Sequence, residues 1–177
     1  MSQVTNQRPV GIRPVDQAVS AAAVDRRIVD AVNNIGFKLY ERVGKPGTNF
    51  LISPVSIAYA LAMVTNGAEG EPLKKMLKGL GLEGMGLAQA NAGFKALTQA
   101  LMSENAEVTM NIANAIWAAD DVKPKAQFTK GVMKSFNAIM NQGDMRQAVA
   151  KINDFVSKNT NKMIPDMLKP GALDGAI

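Results

Sequence analysis

Apolar residues recur along this chain at two different periods, and the switches between them mark its elements. Ile28, Val32, Ile35 and Leu39 fall on one stripe at steps of three and four, which predicts an amphipathic helix from about Ala22. The run from Val43 through Gly44 and Pro46 to Gly47 breaks it. Phe50, Leu51 and Ile52 then form a short run of strand-favouring residues. Ser53 follows with an N-cap oxygen, and Pro54 takes the first helical position, where a missing N–H is of no consequence. From Val55 to Val64 the next helix is apolar on nearly every face, with Ser56 and the Tyr59 hydroxyl as its polar tips. A helix of that kind belongs inside a larger body, so the strand-to-helix corner at Ser53 is expected to be a buried centre of the fold. Asn66 and Gly67 end it.

Glu71 and Pro72 open a second, shorter helix carrying Leu73, Met76, Leu77 and Leu80. Gly79, Gly81 and Gly84 after it match the spacing of a dinucleotide-binding loop. That motif needs a strand before it, and here a lysine-rich helical segment precedes it, so the glycines read as a helix-ending linker. Leu87, Ala90, Phe94, Leu97 and Leu101 predict a helix over Met85 to Glu104. Val108, Met110 and Ile112 alternate with polar or small residues, predicting a half-buried strand that continues to Trp117. Asp120 to Pro124 is a turn, and Phe128, Val132 and Phe136 mark a helix. Ile139 and Met140 form a short strand, and Asn141 to Asp144 a loop. Met145, Val149, Ile152 and Val156 mark the last helix, beyond which Pro and Gly punctuate the chain.

Several of these residues, taken together, resemble the N-terminal signature of the serpins. They are Asn49, Phe50, Ser53, Pro54, Ser56, Ile57, Ala60 to Met63, Gly67, Ala68 and Gly70. Asn33, Phe37, Leu39 and Tyr40 precede them. Asn114 to Trp117, Ile152 to Val156 (with Asn153), Thr160, and Ile164 to Leu168 follow in the order the family keeps. The similarity runs from about Asp25 to the last residue but reaches only roughly the first half of a serpin. The implied fold is α+β: mostly helices packed around a few strands of an incomplete sheet. Residues 1–21 are polar and punctuated by Pro9, Gly11 and Pro14, and are expected to be a disordered tail ahead of a serpin-like part over 22–177.

Composition narrows the chemistry. The chain has 177 residues, enough for one domain with a sizeable core, and is 47% hydrophobic. Its 20 basic and 15 acidic residues give a formal charge of +5, spread without a long block, which argues for solubility rather than a nucleic-acid footprint. It has no cysteine, so no disulfide framework exists and the redox compartment stays open. It has no histidine either, which removes the commonest general base and the Ser-His-Asp arrangement. No set of carboxylates carries metal or acid/base spacing, and no cofactor is expected.

The residues that stand out have plain readings. Ser53 is a cap and Ser56 a first-turn hydroxyl; the resemblance places both instead in the shutter, beneath a large sheet that opens. Asn114, where a strand disfavours asparagine, calls for a hydrogen-bond partner. Trp117 reads as a core anchor, and the methionines as core fillers. By resemblance Asn49, Pro54, Asn114, Trp117, Asn153 and Thr160 are structural positions. Lys74, Lys75 and Lys78 form a small solvated basic face, and the helix that carries heparin-binding cations in some serpins has only Lys95 here.

The resemblance implies a serine-type endopeptidase inhibitor, not an enzyme. A protease cleaves a reactive loop, the loop inserts as a strand into the large sheet, and the trapped acyl-enzyme is distorted. The loop lies in the part of a serpin that this sequence does not reach, so the fragment itself is expected not to inhibit. The partner of the full-length parent would be a serine protease, with no nucleic acid and no membrane. The fragment would self-associate or pair with its C-terminal segment. A non-inhibitory structural or protein-interaction module of the same fold is the alternative. Nothing near Met1 resembles a signal peptide, so a cytoplasmic location follows if Met1 is the true start, while the family resemblance also allows an extracellular one.

Overall fold

A computed structural model describes residues 23–102 and 110–175. Six helices and two strands follow one another in the order α1 (Arg26–Val43), α2 (Pro54–Thr65), α3 (Gly70–Gly79), α4 (Leu87–Leu101), β1 (Ala115–Ala119), α5 (Ala126–Phe136), β2 (Ile139–Gly143) and α6 (Met145–Asn159). The architecture is α+β. The tail expected over 1–21, and the Val108 start of the predicted strand, lie outside the described residues.

Local chemistry sets most of the boundaries. Asp25 caps α1 by accepting from the Arg27 amide at 3.0 Å, and Asp144 caps α6 by accepting from the Arg146 amide at 2.9 Å. In each case the aspartate also binds the guanidinium of the arginine two residues on. α3 starts without a side-chain cap, as Pro72 in its first turn permits. The glycines that follow it form turns, with Gly81 and Gly84 at φ of +80° and +79°, so this segment is the helix-ending linker that the sequence predicts.

The core lies where α2, α4 and α5 meet. Tyr59, Phe94 and Phe136, one from each helix, pack their rings at centroid distances of 5.5, 5.7 and 6.0 Å. Ile28, Leu82 and Val132 are buried around them. α1 comes close enough to α4 that a Cβ on Gly93 would stand 2.5 Å from Ile28 Cγ1. The same helix meets the start of α2, where a Cβ on Gly36 would stand 2.7 Å from Pro54 Cγ.

β1 and β2 pair in parallel, from Ala115 opposite Ile139 to Ala119 opposite Gly143, with α5 as the crossover. β2 extends through Asn141 and Gln142, which the sequence reading places in a loop; the ladder to β1 overrides their turn-forming composition. Met110 to Asn114 carry strand-like alternation but lie outside the observed strand.

The corner at Ser53 corrects a further expectation. Phe50 to Ile52 form no strand, Ser53 and Ser56 are exposed, and Leu51 is 96% exposed. α2 buries one side, through Ala58, Tyr59, Ala62, Met63 and Thr65, and leaves Leu61 and Val64 in solvent. The physical reason is the want of cover. Strand residues need a partner strand, and an all-round apolar helix needs neighbours on every side, which the described residues do not supply.

Candidate functional site

Two groups of singled-out residues occupy different parts of the fold. The first is the α2 N-terminus. Ser53 Oγ accepts from the Ser56 amide at 3.3 Å, and the two hydroxyls share a hydrogen bond of 2.8 Å. Pro54 follows the cap and seats against Gly36 of α1, so the pair of serines is held at a fixed, solvent-facing corner. Asn49 lies exposed on the loop before it.

The second group surrounds the sheet. Asn114 Nδ2 donates to Phe136 O at 2.8 Å, while its own carbonyl accepts from the Ile139 amide at 3.0 Å. One residue thus ties the entrance of β1 to the end of α5 and the start of β2. Trp117 in β1 meets Phe155 of α6 edge to face at 5.5 Å, and its buried Nε1 has no partner among the described residues. Asn153 in α6 binds both backbone groups of Leu168: its Nδ2 donates to Leu168 O at 2.8 Å and its Oδ1 accepts from Leu168 N at 2.9 Å. Thr160 Oγ1 donates to Val156 O at 2.8 Å and accepts from the Ile164 amide at 3.2 Å. Trp117, Asn153 and Thr160 are therefore gathered about α6, whereas Asn114 is fixed to the end of α5 and the start of β2.

A cleft of about 610 Å³ runs beside β1, lined by Asn66, Leu73, Leu87, Trp117, Val122 and Phe128 among others. Sequence reasoning did not find it, because its walls come from α3, α4, β1 and α5 and no local pattern joins them.

Among the described residues the shifted titratable groups form no catalytic pair. Burial pushes the Tyr59 hydroxyl up to about 12, while its hydrogen bond to Thr98 Oγ1, at 2.7 Å, pulls the other way. Asp25 and Asp144 are held below the usual carboxylate range by hydrogen bonds from Arg27 and Arg146, in exposed ion pairs at helix starts. With no histidine in the sequence, the bonded hydroxyls of Ser53 and Ser56 have no imidazole base. Among the described residues no group of three or more acidic side chains is placed to hold a metal, and no helix is long and apolar enough to cross a membrane.

The order of elements and the motifs they carry match one family. The family model described as Serpin (serine protease inhibitor) matches residues 30–176. The chain belongs to the serpin family. Human neuroserpin is 28% identical over 152 residues, which make up 83% of this chain and 37% of neuroserpin. Rat serpin A12 is 30% identical over 139 residues, 76% of this chain and 34% of that protein. Among solved structures, the thermophilic serpin tengpin in its latent state superposes with a TM-score of 0.73 at 28% identity, covering 82% of this chain and 40% of tengpin. A loop C-sheet serpin polymer superposes with a TM-score of 0.74 at 28% identity, covering 89% of this chain and 42% of the other. The serpin chain described here spans about two fifths of the length of these relatives.

Proposed function

We propose that this chain is the N-terminal part of a serine-protease inhibitor that works by cleavage and insertion of a reactive loop. The observation that carries the reading is the match to the serpin model over residues 30–176, which takes in all of α2 to α6, both strands and most of α1. In this reading the serine of the target protease attacks a loop peptide bond and its amine product leaves. The loop then enters the large sheet as a new strand while still esterified to the enzyme. The loop belongs to the portion of the relatives that this chain does not match.

What this portion contributes is the ground over which the sheet moves. Ser53 and Ser56 would lie beneath the completed sheet as the shutter, and α6 would cross the strands that part. The solvent-facing position of the two serines fits a surface made to be covered. The partner of the longer protein is a serine protease, and the fragment itself neither inhibits nor catalyses.

The test is direct. A protein extended to the length of its relatives, mixed with trypsin-, chymotrypsin- and subtilisin-like proteases, should give an SDS-stable one-to-one complex with at least one. The 177-residue chain should give none. Cleavage of the extended protein by every protease without a covalent complex would favour a non-inhibitory interaction module.

A further inference from the structure

The segment after α6 is a strap, and its fastening is unusually specific. Asn161 and Lys162 both adopt left-handed backbone, at φ of 51° and 64°, and reverse the chain as it leaves the helix. Lys162 N donates to Ser157 O at 2.7 Å and Ile164 N donates to Thr160 Oγ1 at 3.2 Å, so the reversal is pinned to the last turn of α6. The chain then runs back along the helix. Leu168 comes opposite Asn153, and Leu173 and Gly175 reach Ala119, Gly143, Asp144 and Arg146, at the strand ends and the start of α6. Between the reversal and that far end, the side chain of Asn153 holds both the N–H and the C=O of Leu168.

A single amide that satisfies both polar groups of one residue does what a neighbouring strand would do, at one point only. The rest of the strap is weakly held. Met163 and Met167 are exposed; Met163 N and Ile164 N bond to Thr160 at the reversal, and beyond Leu168 the bonds Ala172 N to Lys169 O and Asp174 N to Gly171 O are turns internal to the strap. Few buried contacts and, beyond the reversal, one specific clasp describe a segment that opens locally, ahead of the core.

We infer that Asn153 is the latch of this strap: its two hydrogen bonds to Leu168 keep residues 163–175 lying along α6, and breaking them frees the strap as a unit while α1 to α5 stay folded. The latch positions the chain rather than taking part in chemistry, and it does not depend on the inhibitory reading. Its effect is to deliver the chain at Gly175 to the C-terminal end of β1.

Hydrogen exchange reads the latch through one proton, because the Leu168 amide donates to Asn153 Oδ1. In the 177-residue chain, Asn153→Leu should speed exchange at Leu168 by about tenfold or more, the range for two neutral hydrogen bonds of ordinary net strength. Amides of α2 and α4 should keep their rates. Chymotrypsin should cut after Met167 or Leu168 correspondingly faster, with no new cuts in those helices. Asn153→Gln, which keeps the amide but displaces it by one methylene, should release Leu168 too and carries the test if the leucine variant fails to fold. Unchanged Leu168 exchange in either folded variant, equal acceleration across α2 and α4, or an unprotected Leu168 amide in the parent chain would each overturn the latch.

Discussion

Asn66 and Asn91 exchange amide hydrogen bonds in both directions, the Nδ2 of each donating to the Oδ1 of the other at 3.0 and 2.7 Å. Asn66 Nδ2 also donates to Ala62 O at 2.9 Å, so the pair joins the end of α2 to the middle of α4. α5 passes so near that a Cβ on Gly131 would stand 2.9 Å from Asn66 Oδ1. Three helices are thereby keyed to one half-buried amide.

Removing either side of this key should destabilise the fold in a predictable order. Asn91→Leu takes away a donor and an acceptor and leaves the Asn66 amide partly unpaired, a loss of roughly 1–3 kcal/mol. Gly131→Ala forces Asn66 aside and should lose less if the amide shifts with it. Urea unfolding of both variants measures this, and a change below about 0.5 kcal/mol for Asn91→Leu would mean that water replaces the pair.

Two other glycines should answer in opposite directions. Gly93→Ala places a methyl 2.5 Å from Ile28 Cγ1, at the closest approach of α1 and α4, and should destabilise by about 1–3 kcal/mol through overpacking. Gly79 closes α3 with open space around its Cα, so Gly79→Ala should stabilise by about 0.4–1 kcal/mol through the unfolded chain. Thermal unfolding of the pair checks the contrast, and equal shifts would refute it.

Tyr59 gives the fold an alkaline limit. Its ordinary hydroxyl pKa of about 10 is raised to about 12 in the folded chain by burial. The folded state therefore holds this proton more tightly than the unfolded state does. The associated stability is complete below about pH 10 and is lost as pH rises towards 12, on the order of 2 kcal/mol in all. Tyr59→Phe should abolish that part of the pH dependence and lower stability at neutral pH by about 0.5–1.5 kcal/mol, for the lost bond to Thr98. Denaturation of both proteins between pH 8 and pH 12 measures this difference, which should be absent if Tyr59 is solvated.

The helices were legible in the sequence because an amphipathic stripe such as Ile28, Val32, Ile35 and Leu39 is a local record of a buried face. The α+β class and the family were legible for the same reason, in motifs that each sit within one element. What stayed hidden depends on partners far along the chain. Asn66 and Asn91 are 25 residues apart, and Asn153 finds Leu168 15 residues on. No periodicity points from one to the other. Phe50 to Ile52 misled because strand-forming side chains do not make a strand without a neighbour. Asn141 and Gln142 misled in the opposite sense, since β1 was there to pair with them.

The corner at Ser53 can be tested in two contexts. Ser53→Ala should destabilise by about 0.5–2 kcal/mol in either the 177-residue chain or a longer serpin, because the cap is internal to α2. Ser56→Leu should differ between them. Ser56 is exposed here, so the change should stay within about 0.5 kcal/mol in the present chain. Beneath a completed sheet the same leucine should destabilise by roughly 1–3 kcal/mol through overpacking. Chemical denaturation of both variants in both lengths decides the matter, and an equal effect of Ser56→Leu in the two would remove the shutter reading.

The final prediction concerns what this chain does alone. Phe37, Leu51, Leu61 and Val64 are 69%, 96%, 47% and 59% exposed, an uncommon set of large apolar side chains to leave in water around α1 and α2. β1 is paired on one side only among the described residues, so its other edge presents free N–H and C=O groups to any extended chain. Trp117 Nε1 adds a buried donor that has no partner among the described residues. With no cysteine in the sequence, no disulfide offsets these exposures. The isolated chain should therefore be marginally stable, bind a hydrophobic dye, and sediment as oligomers. If a complementary C-terminal segment of a full-length serpin covers α2 and pairs with β1, adding it should suppress all three. Sedimentation velocity and thermal unfolding, with and without that segment, provide the measurement. A monodisperse monomer with a single sharp transition and no dye binding would show that the exposed face is tolerated, and that this part of the serpin fold stands by itself.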